Sequence, residues 1–154
     1  MTDDTNPPIH ASAADTGWET SPSYPEALQR IVRWKILAGA NLFGGVFGIP
    51  QKDAMMGVLD LDAGGYYPAH AHPAPEFYYV ISGTAEWTVG DETFTAVPGM
   101  AIYHAPNVPH RMVNPGPEPL HTLWFWWAPD GDKDVFNGKI TLLEDMPAPP
   151  SGEG

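Results

Sequence analysis

The chain has no cysteine, which excludes disulfides, thiolate metal sites and cysteine nucleophiles together. Long apolar runs are missing too. The longest apolar stretch, near Leu120 to Ala128, contains His121 and Thr122 and falls far short of the roughly 20 residues a membrane span requires. The opening Met1-Thr2-Asp3-Asp4 lacks the basic and apolar regions of a secretory signal, so a cytoplasmic location is expected. Basic residues are scarce: 7 Lys and Arg stand against 19 Asp and Glu, for a net charge of −12. Without a basic patch to displace counterions, nucleic acid is not an expected partner, and neither is a membrane.

The acidity is unevenly placed. Residues 1–26 carry five acids and no Lys or Arg, and residues 130–154 carry six acids and two lysines. The two tails thus hold nine of the twelve net negative charges, leaving −3 for the region between. What is present in that region is a core: apolar residues make up 43% of the 154 residues, enough for one domain without covalent staples.

Residues 1–22 are rich in Thr, Asp, Ser and Pro with no apolar period, and read as a disordered or loosely docked arm. Ser23-Tyr24-Pro25-Glu26 has the form of a helix start. Ala27, Leu28, Ile31, Val32 and Leu37 then supply an apolar helical stripe, which predicts a helix over 23–40 ended by Gly39, Gly44 and Gly45. From about Val46 the texture changes to short β-type runs broken by Gly and Pro: 54–61, 65–72, 76–82, 84–89, 92–97, 100–104, 109–114 and 120–127. Ser82-Gly83 and Gly90-Asp91 read as turns. Many short strands without intervening helices predict an all-β jelly-roll barrel over 41–130. Residues 131–154 form a C-terminal extension, with a tail from Met146 that is too polar and proline-rich to pack.

One cluster carries chemistry. Alternate residues of a strand share a face, so His70 and His72 project together with Ala71 turned away. Their Cα atoms should lie roughly 6–7 Å apart, a span two imidazoles can close around one ion. Glu76 follows a Pro-Ala-Pro turn and shares its strand face with Tyr78 and Val80. A fourth ligand must come from elsewhere, and His110 is the best placed. Three imidazoles and one carboxylate leave open positions on an octahedral metal. They suit one divalent transition metal, with Fe(II) the first expectation and Mn(II), Ni(II), Co(II) or Zn(II) as alternatives. His10, His104 and His121 stand outside the predicted ligand set.

The string Gly64-x5-His70-Ala71-His72-x3-Glu76-x6-Gly83 resembles the first cupin motif with its defining positions filled. Pro106-Asn107-Val108-Pro109-His110-x3-Asn114 is similar to the second, without its usual glycine. The implied fold is a cupin jelly-roll (double-stranded β-helix) barrel. Within the cupins, Gly65 to Trp127 resembles the cupin-type dimethylsulfoniopropionate (DMSP) lyases. The likeness rests on Tyr67-Pro68-Ala69-His70-Ala71-His72-Pro73-Ala74-Pro75-Glu76-Phe77-Tyr78-Tyr79-Val80, on Ser82-Gly83-Thr84-Ala85-Glu86-Trp87, and on Val108-Pro109-His110, Met112 and Glu118-Pro119-Leu120.

That resemblance implies a carbon–sulfur lyase that splits a small zwitterionic substrate, DMSP, into dimethyl sulfide and acrylate, with Tyr78 as the catalytic base. The sulfonium calls for aromatic faces, as quaternary ammonium ions do; Tyr67 and Trp126 lead the substrate-binding candidates, followed by Trp87 and Trp124. The alternatives are another metal-dependent cupin enzyme, such as a small-molecule dioxygenase, or a non-catalytic ligand-binding cupin. Analogy with other cupins adds a homodimer as a possible assembly.

Overall fold

A computed structural model of the protein describes residues 10–39, 49–137 and 140–144. Among the described residues, one α-helix, α1 (Glu26–Ile31), precedes eleven strands: β1 (Arg33–Gly39), β2 (Ile49–Pro50), β3 (Ala54–Leu61), β4 (Tyr66–Ala71), β5 (Glu76–Ser82), β6 (Ala85–Val89), β7 (Glu92–Ala96), β8 (Ala101–His104), β9 (His110–Val113), β10 (Leu120–Trp127) and β11 (Thr141–Leu142). They form a six-stranded sheet in the order β2-β1-β3-β10-β5-β8 and a five-stranded sheet in the order β11-β4-β9-β6-β7. The expected barrel is therefore not closed. Its jelly-roll strands make two separate sheets whose inner faces share one core, built around Trp87, Leu59, Leu61, Met112 and Leu120.

Period-2 burial explains the strands. In β5, Glu76, Tyr78 and Val80 are buried while Phe77, Tyr79 and Ile81 face outward; β10 alternates likewise, with Leu120, Thr122, Trp124 and Trp126 inward. Gly83 closes the turn from β5 to β6 at φ +78°, and a Cβ there would lie 2.2 Å from the Pro119 carbonyl oxygen. The turn therefore demands glycine for both conformation and space. Asn114, from the second motif, is structural: its side-chain amide donates to the carbonyls of Leu61 and Glu118 and accepts from Gly116 N.

The N-terminal half departs from expectation. The helix predicted over 23–40 is only Glu26–Ile31, with Pro25 at its N-cap position and no side-chain cap. Arg33–Gly39 is a strand whose Trp34, Ile36 and Ala38 are buried. The reason is tertiary. β1 zips onto β3, with Trp34 opposite Leu59 and Ile36 opposite Gly57, and the β-branched pair Ile31-Val32 gives the helix little reason to continue. The first strand thus begins before the predicted boundary at 41, and Gly44 and Gly45 lie outside the described residues.

The arm is docked from His10 onward. Glu19 bridges to Trp34, Thr20 Oγ1 donates to Val32 O at 2.7 Å, and Trp18 lies against the cationic ends of Arg33 and Lys35. At the other end, β11 adds to β4, and Glu144 accepts from Ala69 N at 2.7 Å while pairing with Arg111 at 3.1 Å. The tail from Met146 and residues 1–9 lie outside the described residues. Among the described residues, no helix is long and apolar enough to cross a membrane.

Candidate metal centre

Register brings the site together. In the six-stranded sheet, Trp126 of β10 stands opposite Glu76 of β5, and Glu76 stands opposite His104 of β8. In the other sheet, His70 of β4 stands opposite His110 of β9. These two rows face each other across the core. His72 follows β4 and completes the group before the Pro73-Ala74-Pro75 turn returns the chain at Glu76. His70, His72, Glu76 and His110 are all at most 3% exposed.

The imidazoles are oriented from behind. His70 Nδ1 bonds Pro68 O at 2.7 Å, His72 Nδ1 bonds Ala74 O at 2.8 Å, and His110 Nδ1 bonds Val108 O at 3.0 Å. A carbonyl only accepts, so each Nδ1 carries a hydrogen, and in the neutral imidazole that leaves Nε2 with the lone pair a metal can take. One ring nitrogen from each of the three lies within 4.8 Å of the others.

Glu76 Oε2 lies 3.0 Å from His72 Nε2 and 3.4 Å from His110 Nε2, and His110 Nε2 is a buried atom without a hydrogen-bond partner. Acceptors this close repel unless a cation lies among them. Neighbouring donors on a metal at roughly 2.0–2.2 Å bond lengths stand about 3 Å apart, so the donors present fit a divalent ion. The backbone carbonyls supply the outer hydrogen bonds that ligating histidines characteristically have.

His104, which spacing alone left out of the ligand set, is part of the same constellation. Trp87 Nε1 donates to His104 Nε2 at 3.0 Å, and His104 Nδ1 lies 2.9 Å from Glu76 Oε2. An indole N–H can only donate, so Nε2 is the accepting nitrogen and Nδ1 holds the hydrogen that Glu76 receives. His104 also lies within ligand distance of Glu76 and His110, yet this tautomer makes it an orienter of the carboxylate rather than a ligand. On the other side, Trp126 Nε1 donates to Glu76 Oε1 at 2.8 Å. Both carboxylate oxygens are thereby fixed.

Electrostatics follow from burial. Burial alone would push the Glu76 carboxyl up, but His72, His104 and His110 outweigh it and hold the group well below the usual carboxylate range. Burial, reinforced by His110, pushes His70 well below the ordinary imidazole range, and burial brings His104 down to about 4. A metal requires neutral imidazoles and an ionised carboxylate, and the directions at His70 and Glu76 agree with that. Tyr78 is pushed the other way: burial first, then the Glu76 charge, raise its phenol well above the ordinary value.

A cavity opens beside the cluster, enclosing about 400 Å³ not occupied by atoms, its opening to solvent included. His70, His72, Glu76, Tyr67, Tyr78, Trp124 and Trp126 line it, with aliphatic walls from Ile36, Met55, Leu59 and Ile140. Tyr67 stacks on the His70 ring at 3.6 Å between centroids and 13° between planes. Trp126 lies over His72 at 4.4 Å. Trp124 rests against Gly57, and its indole N–H has no partner among the described residues. Trp87 does not line the cavity; it is fully buried behind His104. His121 pairs with Asp60 at 3.0 Å on the outer face, and His10 is exposed.

A sequence profile of the cupin domain matches residues 57–126. Dimethylsulfoniopropionate lyase DddQ of Ruegeria pomeroyi is 39% identical over 54 residues, 34% of this chain and 27% of that protein. An uncharacterized protein of Methanocaldococcus jannaschii is 33% identical over 67 residues, 43% of this chain and 54% of that one. Among solved structures, the DMSP lyase DddQ from Ruegeria pomeroyi superposes with a TM-score of 0.65 at 24% identity, covering 92% of this chain and 64% of that chain. An RmlC-like cupin from Shewanella frigidimarina gives 0.57 at 17% identity, covering 77% and 89%. The chain spans less than two thirds of the length of the curated relatives it matches. The chain has the fold of these cupins, a cupin-domain profile matches its residues 57–126, and it is similar to the dimethylsulfoniopropionate lyase DddQ.

Proposed function

We propose that the protein is a metal-dependent lyase that cleaves dimethylsulfoniopropionate to dimethyl sulfide and acrylate by β-elimination. The observation that carries this reading is the placement of Tyr78: it shares the inward face of β5 with Glu76 and lines the same cavity as His70 and His72. A simple metal-binding pocket has no use for a buried phenol there, whereas abstraction of a proton next to a carboxylate requires a base.

A divalent ion on His70, His72, Glu76 and His110 would supply Lewis acidity, stabilising charge on the substrate's carboxylate and favouring the phenolate form of a neighbouring tyrosine. That second effect matters because burial and the Glu76 charge raise the Tyr78 phenol and keep it protonated near neutrality. Tyr78 Oη takes the α-proton, the C–H electron pair becomes the Cα–Cβ double bond, and the Cβ–S bond breaks with its electrons going to sulfur. Dimethyl sulfide and acrylate leave, and the proton remains on Tyr78 until exchanged with solvent. The aromatic faces of Tyr67, Trp126 and Trp124 receive the sulfonium, while Trp126 and His104 keep Glu76 from rotating. Trp87 acts through His104 rather than on the substrate.

Headspace gas chromatography tests this reading. Protein loaded with Fe(II), Mn(II) or Ni(II) should release dimethyl sulfide from DMSP well above a metal-only control. No gas with any of these ions would refute it.

A further inference from the structure

The segment preceding α1 sends one side chain to Tyr67, which lines the cavity. Tyr24, buried on that segment, shares a hydrogen bond with Tyr67 through their two hydroxyls. The Tyr24 ring meets Tyr67 edge-on at 6.0 Å between centroids and Trp34 edge-on at 6.3 Å. Tyr67 in turn stacks on His70. A contact chain therefore runs from the docked arm through Tyr24 and Tyr67 to a residue of the metal cluster.

Two neutral phenols bring two hydrogens to this pair, and only one can lie between the oxygens. Tyr67 lines the cavity, and Tyr24 is not among its lining residues. Neither hydroxyl has a second hydrogen-bond partner among the described residues. If Tyr67 donated, the Tyr24 hydrogen would be stranded in the protein interior, which is unfavourable for a buried donor. If Tyr24 donates, its hydrogen is satisfied and the Tyr67 hydrogen is left for the cavity, where a ligand oxygen can accept it.

We propose that Tyr24 is a positioning residue: by donating to Tyr67 it turns the Tyr67 hydroxyl into a fixed hydrogen-bond donor for the carboxylate of a small acid bound in the cavity. The choice of ligand rests on the lyase reading, but the device itself requires only a small carboxylate. The segment before α1 thus sets how Tyr67 meets its ligand.

Calorimetry on the Mn(II)-loaded protein with propionate and with acrylate tests this, using wild type, Tyr24→Phe, Tyr67→Phe and the double variant. Tyr24→Phe keeps the ring and should melt cooperatively near the wild-type temperature. It should weaken binding about three- to tenfold, the range expected for one lost hydrogen bond. Tyr67→Phe should weaken binding at least as much, and the double variant should be no weaker than Tyr67→Phe, because Tyr24 acts only through Tyr67. Equal weakening by Tyr24→Phe in both backgrounds, affinity within twofold of wild type, or loss of folding would each overturn the proposal in favour of a packing role. A wild-type protein that binds neither acid would overturn it as well. A protein that binds propionate in this pattern but releases no dimethyl sulfide would refute the lyase reading and leave the Tyr24 assignment standing.

Discussion

His104 Nδ1 donates to Glu76 Oε2 over 2.9 Å, across the β8–β5 pairing in which the two residues stand directly opposite. The bond joins a residue outside both cupin-like motifs to the single carboxylate of the candidate metal site. Trp87 fixes its direction by donating to the opposite ring nitrogen.

His104→Phe preserves a ring of similar size and removes the donor to Glu76. Outer hydrogen bonds to metal ligands are typically worth 10–100-fold in metal affinity. A Mn(II) titration followed by electron paramagnetic resonance should show a loss in that range. Trp87→Phe should show a smaller loss, because it frees the tautomer without removing the donor. Affinities within twofold of wild type for both variants would mean that Glu76 is held adequately by Trp126 alone.

Metal binding should appear as stability. An ion that binds only the folded state contributes about 2.7 kcal/mol at a hundredfold excess over its dissociation constant. For a chain of this length that raises the melting temperature by about 5–10 °C. Differential scanning calorimetry with chelator and then with Mn(II) should show that rise in wild type and none in His110→Ala. An equal rise in the variant would place the ion elsewhere.

Much of this arrangement was legible before any coordinates, and the boundary of legibility has a physical cause. Strands β3, β5 and β10 occupy the predicted spans 54–61, 76–82 and 120–127, because alternating burial writes itself into each strand's own residues. His70, His72 and Glu76 were legible for the same reason: their relation is local. His110 needed a motif, since only the β4–β9 register puts it opposite His70.

What the sequence concealed depends on long-range pairing. Leu28, Ile31 and Val32 fit a helical period that pairing with β3 overrides from Arg33 onward. His104 shows no spacing relation to Glu76; the residues are 28 apart and meet only through β5 and β8. Tyr24 lies 43 residues from Tyr67. The jelly roll expected from the run of short strands is present as two sheets that do not close into a barrel, because the alternating pattern fixes which face is inward, not whether edge strands join.

Gly57 offers a test of the close packing behind the cavity. A Cβ there would lie 1.9 Å from the Lys35 carbonyl oxygen and 2.6 Å from the Trp124 ring. The carbonyl belongs to the paired strand β1 and cannot withdraw. Gly57→Ala should therefore cost about 3 kcal/mol, lowering the melting temperature by about 6–12 °C. Thermal denaturation followed by circular dichroism measures this, and a change under 2 °C would contradict the packing described.

The most direct test of the central claim compares Tyr78→Phe with wild type at equal metal content, with elemental analysis and dimethyl sulfide release read on the same samples. Phenylalanine keeps the packing against Trp87 and His104 and removes only the hydroxyl. A lost general base typically costs about 10²–10⁴-fold in rate. The account predicts unchanged metal stoichiometry with dimethyl sulfide release reduced by that factor. Full metal content with near-normal release from Tyr78→Phe would contradict it.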